Sequence, residues 1–217
     1  MRLSSAALAA AALLTTAIAA SAQTCVGFPP FANGPVRASG DLSIANHATT
    51  YGASAVFGTM EPGLFGGGSI SGTRFDGTNK TGKSLGLSGG FSIPLVSLPG
   101  TELCPVADFV HSWGPDIGGF DPSSNTIALG GAIGHAVVAS PTVTLVPFAD
   151  LRWIHASAHL RTGLGTTSAS DNFGSLTLGS GIMFTKTVTL RPANVIPISE
   201  GGGSSVFLIS LAFNLGK

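Results

Sequence analysis

Charge is scarce in this chain. Lys, Arg, Asp and Glu make up 9% of the residues, ten basic and ten acidic, against roughly 25% in an ordinary soluble domain. With no basic excess or stripe, nucleic acid is not an expected partner. Aromatic residues are few, at 7%, and cysteine occurs twice, too rarely for a disulfide-dense mini-domain. Past residue 22 there is no run of ~18 apolar residues, so no membrane helix is expected. No HExxH or Cys/His spacing and no strand-to-helix nucleophile elbow is present, so neither a metal nor a cofactor is expected. What the chain does have is hydrophobicity, at 44%, and 31 glycines. That hydrophobic content speaks against disorder, and the glycines show no collagen period.

The first 22 residues form their own unit. Arg2 supplies a positive start, Ala6 to Ala20 an apolar stretch, and Ala20-Ser21-Ala22 a small-x-small cleavage site before Gln23. This is the plan of a cleaved signal peptide, which leaves a mature chain beginning at Gln23. Export gives the cysteines a meaning. In an oxidising compartment an even count of two favours one Cys25–Cys104 disulfide, with two free buried thiols as the alternative. The bridge would close a loop of about 80 residues, worth roughly 4 to 5 kcal/mol in the chain-entropy model.

The mature chain alternates with period two. In Ser84 to Leu95 one face carries Leu85, Leu87, Gly89, Phe91, Ile93 and Leu95, and the other Ser84, Gly86, Ser88, Gly90 and Ser92. Ile127, Leu129, Ile133 and Val137 share a face in the same way, as do Phe207, Ile209, Leu211, Phe213 and Leu215. Such alternation marks strands with one apolar face. It predicts ten of them, near 36–46, 50–60, 65–75, 83–97, 104–112, 125–139, 142–157, 172–185, 187–198 and 204–216, with boundaries uncertain by about 2–4 residues. Links after even strands are short, as at Pro99-Gly100-Thr101 and Ser140-Pro141. Those after odd strands tend to be longer and polar, as at Gly114 to Asn125 and Gly163 to Asp171.

That pattern predicts an all-β fold: an up-and-down antiparallel transmembrane β-barrel of about ten strands, with eight as second choice. Such barrels have short periplasmic turns and longer outer loops. The expected organisation is a signal peptide at 1–22, a periplasmic N-terminal segment at 23–35 and the barrel at 36–217. Cys25 and Cys104 then lie at the same end. Most charges fall in links or near strand ends. Arg37, Asp41, Asp150, Arg152 and Arg191 alternate with apolar faces and are expected to point into the lumen, while Asp108 stays unassigned. A Lys or Arg facing lipid near the midplane costs about 2–4 kcal/mol, which would drive this sorting. The rival architecture is a secreted soluble β-sandwich adhesin, in which the apolar face would be the core. Strand length favours the barrel, since a tilted spanning strand needs about 9–11 residues.

On these residues the mature chain resembles the small outer-membrane β-barrel proteins of the OmpA-like and opacity-type kind. The most specific part is the end, Phe207-Leu208-Ile209-Ser210-Leu211-Ala212-Phe213-Asn214-Leu215, which looks like the terminal strand read by the barrel-assembly machinery. The resemblance implies the cell outer membrane as location, and outer-membrane lipid and that machinery as partners.

One short stretch carries a candidate chemistry. Arg152-Trp153-Ile154-His155-Ala156-Ser157 resembles the Arg-x-x-His-x-Ser motif of the outer-membrane lipid A 3-O-deacylases. That resemblance implies His155 as general base and Ser157 as nucleophile on the lipid-facing side. Residues two apart on a strand share a face and can act as such a pair. Ala158 stands where the family has Asn, and no carboxylate is placed to orient His155; Asp171 is the nearest downstream. The competing reading is a strand end with interfacial Arg, Trp and His. His135, on an otherwise apolar face, is read as structural. The inward face is mostly Gly, Ser, Ala and Thr, leaving room for water, a plug segment or bulky groups contributed from elsewhere. The expected function is therefore a non-enzymatic structural or surface-exposed barrel, or a narrow, porin-like passive pore. A lipid A deacylase-like esterase is the alternative.

Overall fold

A computed structural model describes residues 24–28, 35–59, 63–77, 80–115, 121–163, 165–184, 187–199 and 204–215. The signal peptide reading falls outside these residues. Twelve strands form one sheet: β1 (Val36–Ala45), β2 (Ala48–Gly58), β3 (Leu64–Phe75), β4 (Thr81–Phe91), β5 (Ile93–Pro94), β6 (Thr101–Trp113), β7 (Asp121–His135), β8 (Val137–Ser140), β9 (Val143–Thr162), β10 (Gly165–Met183), β11 (Val188–Pro197) and β12 (Val206–Leu215). Ten build the wall. The short β5 and β8 pair only with β6 and β9, prolonging the β4 and β7 hairpins.

The wall closes. β12 pairs antiparallel with β1, with Asp41 opposite Ser210 and Gly40 opposite Leu211. β9 pairs with β10, completing the ring of nearest neighbours. Closure satisfies the backbone groups that an open sheet would leave along its edges. Neither the β-sandwich nor the eight-strand alternative survives: the first and last strands share one sheet, and ten strands make the ring.

Alternation decides what faces where. Outward positions carry Tyr51, Phe57, Ile70, Leu85, Leu87, Phe109, Leu129, Leu151, Phe207, Leu211 and Phe213, all exposed. Inward positions on β1 to β4 carry hydroxyls that bond across strands. Ser39 meets Ser54 at 2.6 Å, Thr50 meets Thr73 at 2.8 Å, and Ser71 meets Ser84. These pairs satisfy polar groups that face away from the outer surface.

The main departure from the expected strand pattern is the β9–β10 hairpin. Gly165 to Asp171, within the stretch expected as a loop, continues the ladder, with Thr166 opposite Arg161 and Ser170 opposite Ser157. β10 meets β11 only from Ser175 onward, and Gly165 to Ser170 are exposed. With water on both faces, Thr-Thr-Ser-Ala-Ser has no apolar side to show, so the period of two is silent there. β7 likewise starts early, at Asp121.

Candidate functional site

The lumen has three levels. At the end where β1 begins and β12 finishes, the segment Thr24–Phe28 is inserted into the barrel. Thr24, Cys25, Val26 and Phe28 are all buried, with a 3₁₀ turn over Thr24–Val26. The stretch expected as a periplasmic segment before the barrel therefore has at least these residues inside the wall. Cys25 is bonded to Cys104, with Cα atoms 5.9 Å apart. Cys104 lies on β6. The two sulfurs and Glu102 form a cluster of potential metal donors, but both sulfurs are spent in the disulfide and no thiolate remains to ligate.

Glycine makes the insertion possible. A Cβ on Gly134 of β7 would lie 1.9 Å from the Thr24 carbonyl oxygen, and one on Gly181 of β10 would lie 1.9 Å from that of Gly27. Only a bare backbone lets the segment approach this closely. Gly27 itself has a φ of 83° and turns the chain beneath the Phe148 ring.

The next level holds the charges. Arg191 donates from Nε to the Val26 carbonyl at 2.7 Å, and its guanidinium lies 4.5 Å from the Phe148 ring centre. Phe28 receives two guanidinium groups, Arg37 at 4.8 Å and Arg191 at 5.2 Å. Arg37 also donates from Nε to Asn214 Oδ1 at 2.8 Å. Arg152 bridges two carboxylates, meeting Asp150 Oδ1 at 2.6 Å through Nε and Asp108 Oδ2 through Nη1. Ser39 donates to Asp41 Oδ2 at 3.2 Å. Arg37, Asp41, Asp108, Asp150, Arg152 and Arg191 are all buried. Asp108 shares the parity of the inward Cys104, Val106 and Val110, which was its available sequence signal. Arginine suits such a site because its planar fork can donate in several directions while its face rests on a ring.

The far level combines buried hydroxyls, among them Ser43, Thr50 and Thr126, with an apolar cluster. Ala128, Ile154, Ala156, Phe173, Val195 and Val206 pack together inside the barrel. The small inward residues of the sequence are thus met by a plug segment at one end and by bulky groups from β9 to β12 at the other.

Outside the barrel, His155 and Ser157 share the face of Leu151 and Trp153, which are 54% and 49% exposed. His155 Nδ1 lies 2.9 Å from Asn172 Oδ1, its cross-strand partner on β10. An amide oxygen only accepts, so Nδ1 donates this bond. Ser157, however, donates to the Asn125 carbonyl at 3.4 Å instead of to the imidazole. Asp171 faces the other way, and its carboxylate accepts from the Asn172 backbone N–H at 2.8 Å. The orienting group is an amide that spacing did not reveal, because it depends on the β9–β10 register. His111 and His135 are likewise tied, to Asn125 Oδ1 at 2.7 Å and Thr101 Oγ1 at 2.8 Å. Nearby, Leu103, Leu129, Gly131, Ile133, Leu151 and Trp153 help line an open apolar groove of about 520 Å³ on the outer surface.

No family model matches the chain, and no curated protein does. Among solved structures it is similar to the N-terminal β-barrel domain of Pseudomonas aeruginosa OprF, at 10% identity over 83% of this chain and 96% of that one, with a TM-score of 0.41. It is also similar to Ail, the attachment invasion locus protein of Yersinia pestis, at 11% identity over 83% and 97% of the two chains, TM-score 0.42. A third is the transport unit of the autotransporter AIDA-I from Escherichia coli, at 14% identity over 84% and 89%, TM-score 0.31.

Proposed function

We propose that this chain is an integral outer-membrane barrel whose role is structural or surface-presenting, with the lumen occupied rather than conducting. One observation carries the membrane reading. A closed wall turns its large apolar side chains outward, with Phe57 60%, Ile70 62% and Leu87 61% exposed, while Arg37, Asp41, Asp108, Asp150, Arg152 and Arg191 are buried inside. A water-soluble monomer rarely exposes a contiguous apolar patch of more than a few hundred Å². A bilayer makes the same surface favourable and would penalise those charges on the outside. The inserted segment, the charge layer and the apolar cluster beyond it favour a filled interior over a passive pore. The upper β9–β10 hairpin, paired with β7 but not with β11, supplies an exposed, polar projection.

Fractionation of cells tests the membrane reading. The chain is expected in the outer-membrane fraction, extracted only by detergent and migrating differently unboiled and boiled. Recovery in the soluble fraction, with one gel mobility, overturns it.

The esterase reading is favoured by the His155–Asn172 contact alone. It lacks a bond from Ser157 to the imidazole, and the non-enzymatic reading is preferred.

A further inference from the structure

We propose that the Cys25–Cys104 bond is made on the open chain, before β1 pairs with β12, so that a dithiol-oxidising protein must act upstream of barrel closure. The proposal rests on the export reading.

Both cysteines are completely buried, at 0% exposure. Cys104 faces inward from β6, and Cys25 belongs to the inserted segment. From outside, the hydrogen-bonded wall separates solvent from the sulfurs. From inside, the segment covers its own bridge: its carbonyls lie against Gly134 and Gly181, and Val26 and Phe28 sit among Arg191, Arg37 and Phe148. Thiol–disulfide exchange needs access of one sulfur to another. A folded oxidoreductase has no such access in the closed barrel, whereas on the open chain both thiols are within its reach.

The exchange balances as follows. The Cys25 thiolate attacks the oxidoreductase disulfide, forming a mixed disulfide and expelling one enzyme thiolate. The Cys104 thiolate, 79 residues further along, then attacks the Cys25 sulfur, closing the bridge and expelling the second. The chain loses two protons and two electrons, and the enzyme disulfide becomes a dithiol. The order Cys25 first follows the order in which an exported chain emerges. The closed bridge then holds Thr24–Phe28 beside β6 while the remaining wall assembles around it.

The purified barrel in mild detergent, its folded gel form monitored throughout, is treated with dithiothreitol and trapped with a maleimide-polymer mass tag. Reduction is expected to be at least about 100-fold slower than for the same chain in urea, because reaching the sulfurs requires opening of the structure. Rapid tagging of both cysteines while the folded form persists overturns the proposal. In a second arm, chain reduced in urea is folded in detergent and then given oxidised glutathione. Molecules already closed are expected to keep two thiols that tag only after unfolding, and oxidation of closed molecules at the unfolded rate overturns the proposal. Cell fractions separate this from the export reading. A cytoplasmic chain keeping its first 22 residues and both thiols would remove export itself, whereas an exported chain that reduces readily when folded would remove only the ordering.

Discussion

Arg191 reaches from β11 to the carbonyl of Val26, 165 residues earlier in the chain, and bonds it at 2.7 Å inside the barrel. The contact joins the first buried turn to the next-to-last strand. It also places a guanidinium where it covers both Phe28 and Phe148.

Arg191→Ala should therefore cost about 3 kcal/mol. A hydrogen bond to a charged group contributes roughly 1.5–3 kcal/mol, and the Val26 oxygen is left buried without this donor. Arg191→Lys should recover less than half, since an ammonium lacks the flat face and the fixed Nε donor. Urea unfolding of the detergent-folded barrel, followed by Trp fluorescence, measures both. Equal stability of wild type and Arg191→Ala would show that the contact is incidental.

Arg152 should behave as the keystone of a triad. Arg152→Met leaves Asp108 and Asp150 buried near one another without their shared cation, and should cost about 3–5 kcal/mol. Adding Asp108→Asn and Asp150→Asn to that variant should return at least half of the loss. The penalty belongs to uncompensated charge, not to the missing side chain. The same urea titration checks it, and a triple variant no better than the single one would contradict the account.

Two wall glycines, Gly134 and Gly40, differ in what they face. Gly134→Val should displace Thr24–Phe28, because its Cβ meets the Thr24 oxygen at 1.9 Å. Gly40→Ala, with nothing within 4 Å of its Cβ, should be neutral or more stable by up to about 1 kcal/mol, from reduced freedom of the unfolded chain. Counting free thiols after folding, together with the urea midpoint, distinguishes them. Free thiols should rise in Gly134→Val alone.

Ser157→Ala should leave the acylation pattern of lipid A unchanged. The Ser157 hydroxyl is directed to the Asn125 carbonyl, and a serine without a base is a weak nucleophile at neutral pH. Mass spectrometry of lipid A from cells expressing either form is the check. A deacylated species that disappears in the variant would show that substrate recruits His155 to Ser157.

Much of the architecture was legible before any coordinates, and for one reason. A closed wall with apolar side chains outside and a polar interior imposes a period of two on its strands. Leu85 and Leu87 against Ser84 and Gly86, or Phe213 against Asn214, carry that signal in one dimension. The buried charges Arg37, Asp41, Asp150, Arg152 and Arg191 follow the same parity. Where a strand is exposed on both faces, as at Thr166 to Ser170, the physical cause of the alternation vanishes and so does the pattern.

The interior was decided only by the tertiary structure. The pairing of Cys25 with Cys104 followed from there being two cysteines, but their position inside the lumen did not. That position depends on ring closure, which brings Arg191, Gly181, Gly134 and Arg37 around residues 24–28 from four separate strands. The His155–Asn172 contact is of the same kind, set by the β9–β10 register and invisible in spacing. Sequence by itself carried the alternation of faces along the wall strands, because that depends only on neighbours along one strand. The structure determined which residues share the enclosed space, because that depends on how ten strands curve shut.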